Sequence, residues 1–170
     1  MRWKEIIDRV RRTFGGRLVY GANWTDLESD ETLELFRLVD AAGVDAYFPV
    51  AKEPDPSVDH MVSEWQTWLE LIEAVGRDVE RPILVTEVGC MSRRGAAAAP
   101  WSYDGSASVD LDLQARYYEA AIRALEGHSA IEGIYFWAWG LRPAGPDDGS
   151  HSPRGKPAAD VLRRLWREGR

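Results

Sequence analysis

The chain has a single cysteine, Cys90, so no disulfide framework can be built. Its three histidines, His60, His128 and His151, are scattered and form neither an HExxH nor a paired CxxC pattern. A metal site is therefore not expected, nor any other cofactor. There is no run of lysine or arginine, and the formal charge is −7, which argues against nucleic acid and anionic membrane surfaces as partners. No apolar stretch approaches the roughly 20 residues that cross a bilayer. The opening MRWKEIIDRVRR is basic and contains a tryptophan, unlike a signal peptide, which implies a cytoplasmic location if Met1 is the true start.

What is present is enough for one buried core: 170 residues, 45% of them hydrophobic, expected to form a single domain over 1–170. Eight tryptophans and six tyrosines point to a flat apolar ligand such as a sugar or a base, although core packing accounts for any one of them equally well. Periodicity divides the chain into alternating elements. Trp3, Ile6, Ile7, Val10 and Phe14 form one helical stripe, stopped by Gly15 and Gly16. The short aromatic run LVYGANW (18–24) predicts a strand, and Ser29 opens a helix expected to reach Ala42, with Gly43 at its end. A second strand is predicted at VDAYF (44–48), a helix at about 60–75, a buried strand at PILVTEV (82–88), a helix at about 110–126, a strand at GIYFWAW (133–139), and a last helix opened by Pro157.

This order, a helix followed by four strand–helix units, implies parallel strands joined by right-handed crossovers. Helix-to-strand connections are tight, whereas those leaving strand C-termini are long, notably 90–109 and 140–155. Parallel α/β folds bind ligands at the strands' carboxyl ends, so the long loops mark the working face. Four such units make half of an eight-stranded barrel, which takes roughly 250 residues when whole. The chain also opens on a helix with no strand before it. A complete flavodoxin-like sheet is the alternative architecture, but no GxGxxG or GxxxxGK[ST] loop is present to hold its usual ligand.

Glu87 ends a strand otherwise made of Ile83, Leu84, Val85 and Thr86, and Gly89 follows to let the backbone turn away. Alternation puts Ile83, Val85 and Glu87 on one side, so the carboxylate would extend a buried stripe to the mouth of the sheet. The competing explanation is a structural ion pair with Arg93 or Arg94. Asn23 and Tyr47 are polar groups at the same mouth, able to orient a carboxylate or bind hydroxyls. Asp45 shares Tyr47's side but reads as ordinary supporting hydrogen bonding. Tyr135, Trp137 and Trp139 alternate along the last strand, with Trp24 and the loop residues Trp101 and Tyr103 nearby; sugar rings stack on such faces. Cys90 has no histidine placed to activate it and reads as a small buried hydrophobe, and Asp147-Asp148-Gly149 reads as a turn.

The phrases LVYGANW, VDAYFPV, PILVTEVG and GIYFWAWG, in that order and spacing, resemble the C-terminal half of glycoside hydrolase family 113. These are β-mannanase-like enzymes of a clan of retaining (β/α)8-barrel glycosidases. The resemblance extends to the opening helix and to Gly155-Lys156-Pro157-Ala158. It implies that Glu87 matches the catalytic nucleophile, that the general acid/base is a Glu ending the fourth barrel strand, ahead of this sequence, and that Asn23, Trp24, Tyr47, Trp137 and Trp139 match sugar-site positions. The implied partner is a β-linked, mannan-like saccharide.

Retaining hydrolysis needs two carboxyls about 5–5.5 Å apart. The leading expectation is thus the C-terminal part of a glycosidase, completed by a missing N-terminal half-barrel. Two alternatives stand beside it. One is a non-catalytic carbohydrate-binding half-barrel that uses Trp101, Trp137 and Trp139; the other is a homodimer closing the two open sheet edges.

Overall fold

The computed structural model describes residues 2–168. Helix α1 (Arg2–Thr13) leads into β1 (Val19–Asn23), a 3-10 turn (Trp24–Asp26) and α2 (Asp30–Leu38). There follow β2 (Ala41–Asp45), α3 (Val58–Val79), β3 (Ile83–Val88), α4 (Leu111–Leu125), β4 (Ile131–Phe136) and α5 (Pro157–Glu168). The four strands pair in parallel in the order β1-β2-β3-β4. The expected succession of units is therefore present.

Several boundaries move, and at two of them a glycine expected to stop a helix does something else. The helix expected to run to Ala42 ends at Leu38, and β2 starts at Ala41 rather than Val44. The Asp40 N–H donates to Leu18 O, and its carboxylate accepts from the Leu18 N–H, which draws the segment into the sheet. Gly43 is not a helix stop but a close-approach site: a Cβ there would lie 2.6 Å from Tyr20 O on the neighbouring strand. Likewise α3 runs through Gly76, where a Cβ would come to 3.2 Å from Ile83, and ends instead at Glu80 in the left-handed region with φ 53°. Its start is set by Ser57, whose side chain accepts from the His60 N–H.

The helices cover one face of the sheet. Ala22, Ala42, Val44, Ile83, Val85 and Val88 are buried there with Phe36, Trp65, Ile72, Leu113 and Tyr117. The other face is open, with Val19 and Tyr135 exposed on it. Arg17, ahead of β1, and Glu132, in β4, reach across that face from opposite sheet edges to pair at 2.6 Å. The apolar stripe of α1 exists as expected, but Trp3, Ile6, Val10 and Phe14 remain exposed. No helix among the described residues is long and apolar enough to cross a membrane.

Candidate active site

Glu87 reaches the mouth of the sheet by a different route from the expected alternation. Ile83 and Val85 face the helices, and Thr86 faces the open side, where its hydroxyl and Asp45 both neighbour Gly21. Simple alternation would send Glu87 into the helical layer. The β2–β3 register instead slips between Val44 and Asp45, and the β3–β4 register between Val85 and Val88. This irregularity re-aims Glu87, which becomes the partner of Asp45 across the strands. Its Oε2 accepts a 2.7 Å hydrogen bond from the Tyr47 hydroxyl.

The arginines do not neutralise it. Arg93 donates to Ala107 O and packs beneath Gly149, where a Cβ would sit 2.5 Å from its guanidinium carbon. Among the described residues Glu87 takes part in no ion pair. Tyr47 is held protonated: burial raises its pKa, and the hydrogen bond to Glu87 raises it further. Asp45 lies at the end of β2 rather than near a strand start, and its Oδ1 accepts from the Thr86 hydroxyl at 2.7 Å.

Gly89 explains how Trp137 comes close. A Cβ on Gly89 would meet Trp137 O at 2.1 Å, so only glycine lets the end of β4 lie against the end of β3. The Trp137 N–H donates to Val88 O at 2.9 Å, and Trp137 O accepts from Tyr118 at 3.2 Å. The strand itself ends at Phe136, so Trp137 and Trp139 lie just beyond it, both exposed. Tyr135 departs from the expected aromatic line. It lies on the open face with Val19, Leu84 and Gly133 beside a hollow of about 480 Å³ that also contains the Arg17–Glu132 pair.

The other aromatics form a second group. Trp24, in the turn after β1, meets Trp101 from the β3–α4 loop at 5.3 Å between ring centroids, and Trp68 and Phe48 at 5.6 and 6.0 Å. Trp24 is half-buried, while Trp101 keeps a face in solvent. Asn23 ends β1 exposed, in register with Asp45. The fold therefore gathers Tyr47, Glu87 and Trp137, places Asn23 one strand beyond Asp45, pairs Trp24 with Trp101, and leaves Trp139 outside both aromatic groups.

Beneath the long loops lies a cluster not anticipated from sequence. The Lys156 side chain is fully buried, and its Nζ donates to Ser92 Oγ and Ser150 O at 2.8 Å and pairs with Asp148 at 3.0 Å. Burial lowers the pKa of this ammonium, and Asp148 acts against that shift. Burial alone would raise the Asp148 carboxyl, but hydrogen bonds from Ser150 and Lys156 outweigh it and hold the group at about 2. Gln114 of α4 donates to Cys90 O at 2.9 Å and to His151 O at 3.1 Å, joining the same two loops. Cys90 is buried, which pushes its thiol up and keeps it protonated. Among the described residues no group of three or more His, Cys, Asp or Glu is placed to hold a metal ion.

The chain matches Glycoside Hydrolase Family 113 over residues 1–151. The structure of the family's β-mannanase AaManA from Alicyclobacillus acidocaldarius, in complex with ManMIm, is similar at TM-score 0.82 and 33% identity, covering 98% of this chain and 50% of that one. A complex of a second family 113 β-1,4-mannanase gives the same TM-score and coverage at 23% identity, which attests to the fold alone. So does β-glucuronidase from Ruminococcus gnavus, at TM-score 0.65, 15% identity, and coverage of 96% of this chain and 28% of that one. No curated protein matches. The chain spans half the length of the mannanase structures, and its four parallel βα units correspond to half of their barrel. By the family match and by its likeness to AaManA, the chain belongs to glycoside hydrolase family 113.

Proposed function

We propose that the chain, as one partial-barrel domain, supplies the nucleophile-bearing half of a retaining glycosidase that acts on β-linked, mannan-like saccharides. The observation that carries this reading is the Glu87 carboxylate at the strand mouth, bound by the Tyr47 hydroxyl, one residue before the Val88 carbonyl that accepts from the Trp137 N–H, and with no basic partner among the described residues. Tyr47 occupies Oε2, and no group among the described residues is hydrogen-bonded to Oε1. That oxygen attacks the anomeric carbon, the glycosidic C–O bond breaks, and the leaving oxygen takes a proton from a second carboxyl about 5–5.5 Å away. Water then donates its proton to that same group, attacks the glycosyl ester and frees Glu87 with retained configuration. The second carboxyl belongs to the other half of the barrel, supplied by the same polypeptide or by another. The exposed Val19 and Tyr135 on the open face favour such a cover. Trp137 stacks the reacting sugar, Trp101 on Trp24 forms a platform for a neighbouring sugar, and Asn23 and Trp139 bound the cleft.

The test is Glu87→Gln in the full-length protein, assayed on mannan oligosaccharides and aryl β-mannosides. Hydrolysis should fall by roughly a thousand-fold or more while oligosaccharide binding persists. Turnover that survives this substitution would overturn the assignment. Wild-type protein that binds mannan oligosaccharides without cleaving them would favour the carbohydrate-binding alternative.

A further inference from the structure

Tyr103 lies in the loop between β3 and α4 and is 68% exposed, yet it is fixed from several directions. Its hydroxyl accepts from the Trp137 indole N–H at 3.0 Å. Its ring lies 4.6 Å from the His151 ring. His151 is itself buried, with Nε2 3.2 Å from Pro100 O of the same loop, and burial lowers its pKa, so the surface under Tyr103 is favoured in its neutral form. The backbone just beyond is held by Asp104, whose N–H donates to Ser102 Oγ at 3.1 Å and whose Oδ1 accepts from the Ser106 N–H at 2.8 Å. Tyr103 is also close enough to Tyr47 to contribute to raising the pKa of that group.

The Trp137 indole N–H is thus already used, by an acceptor that has a proton of its own to give. Among the described residues the Tyr103 hydroxyl proton has no acceptor. A donor kept free on a pre-positioned exposed ring, next to the Trp137–Tyr47–Glu87 group, is placed for a ligand hydroxyl. We propose that Tyr103 is a substrate-contacting residue whose hydroxyl donates to a hydroxyl of the sugar stacked on Trp137, so that the β3–α4 loop takes part in recognising that sugar. This rests on the glycosidase reading of the same site.

Calorimetric binding of mannotetraose to full-length protein carrying Glu87→Gln, with and without Tyr103→Phe, tests it. Loss of one such hydrogen bond should raise Kd roughly five- to ten-fold. The same factor should persist when Trp137→Phe is also present, since the contact is made by Tyr103 itself. An effect that vanishes in the Trp137→Phe background would make Tyr103 only a prop for the indole and overturn the inference. So would equal Kd values with and without the phenol. In that last case, loss of hydrolysis in the Glu87→Gln protein would leave the glycosidase reading standing. Failure of the wild-type protein both to bind and to cleave would remove both. Tyr103 is exposed, so the Phe variant should unfold at the wild-type temperature, which separates lost contact from lost fold.

Discussion

Replacing Gly89 with alanine tests the joint between the two strand ends that bring Glu87 and Trp137 together. The added Cβ would lie 2.1 Å from Trp137 O and 3.3 Å from Trp137 C, both main-chain atoms that cannot swing aside as a side chain would. Relief requires the two strand ends to part by about 1 Å, since interiors hold non-bonded atoms at van der Waals contact. That movement strains the Trp137 N–H bond to Val88 O and the Tyr118 bond to Trp137 O. Overpacking costs about 1–3 kcal/mol and each weakened bond adds about 1 kcal/mol at most, giving about 2–4 kcal/mol in all. For a chain of this size the melting temperature should drop by about 5–12 °C. A displacement of this size between nucleophile and stacking surface should also lower kcat/KM on β-mannosides by roughly a hundred-fold. Thermal unfolding and steady-state hydrolysis read the two effects separately. A Gly89→Ala protein that melts within about 1 °C of wild type and keeps kcat/KM within about threefold would show that the strand ends do not meet as described.

Lys156→Met removes the cation that binds Ser92, Ser150 and Asp148 at once. Ser92 keeps its own bonds to Asp148 O and Ser150 O, and Asp148 is partly solvated, so the loss should be about 2–3 kcal/mol, seen as a melting temperature lower by about 5–10 °C. The Asp148 carboxyl is held at about 2, below its ordinary value of 3.8, so its contribution is present above pH 4 and lost as pH falls from about 4 to about 2. The gap in unfolding free energy between wild type and Asp148→Asn, read by urea titration and about 1 kcal/mol at pH 6 after allowing for solvent screening, should close over that window.

The order of elements was legible because each one carries its own period and stop signals. What failed was the meaning of particular glycines. Gly43 and Gly76 look like helix terminators by local rules, but both serve close contacts made by distant residues, Tyr20 and Ile83. The side on which Glu87 emerges was equally hidden. Strict alternation puts it with Ile83 and Val85, and only the slipped registers, which depend on both neighbouring strands, turn it toward Asp45 and Tyr47. Asn23, Tyr47 and Glu87 were readable as neighbours because each lies at or just past the carboxyl end of a strand, and parallel strands bring those ends to one rim. Lys156 was not readable: lysine is rarely buried, and one of its partners, Ser92, lies 64 residues away. The run of alanines at 96–99 reads as slack, yet Ala97 is buried and its carbonyl accepts from the Val50 N–H at 3.0 Å.

The buried lysine and Gln114 latch the loop after β3 to the loop after β4, and this governs how the rim can be redesigned. A graft that brings in either loop alone from a related enzyme would remove part of the acceptor set that this interior ammonium and amide share between the two loops, so the two loops are best moved together with Lys156 and Gln114. The segment from Tyr103 to Ser106 is exposed and stands outside that latch. Changes of length or sequence there can retune what the rim touches while leaving its foundation undisturbed.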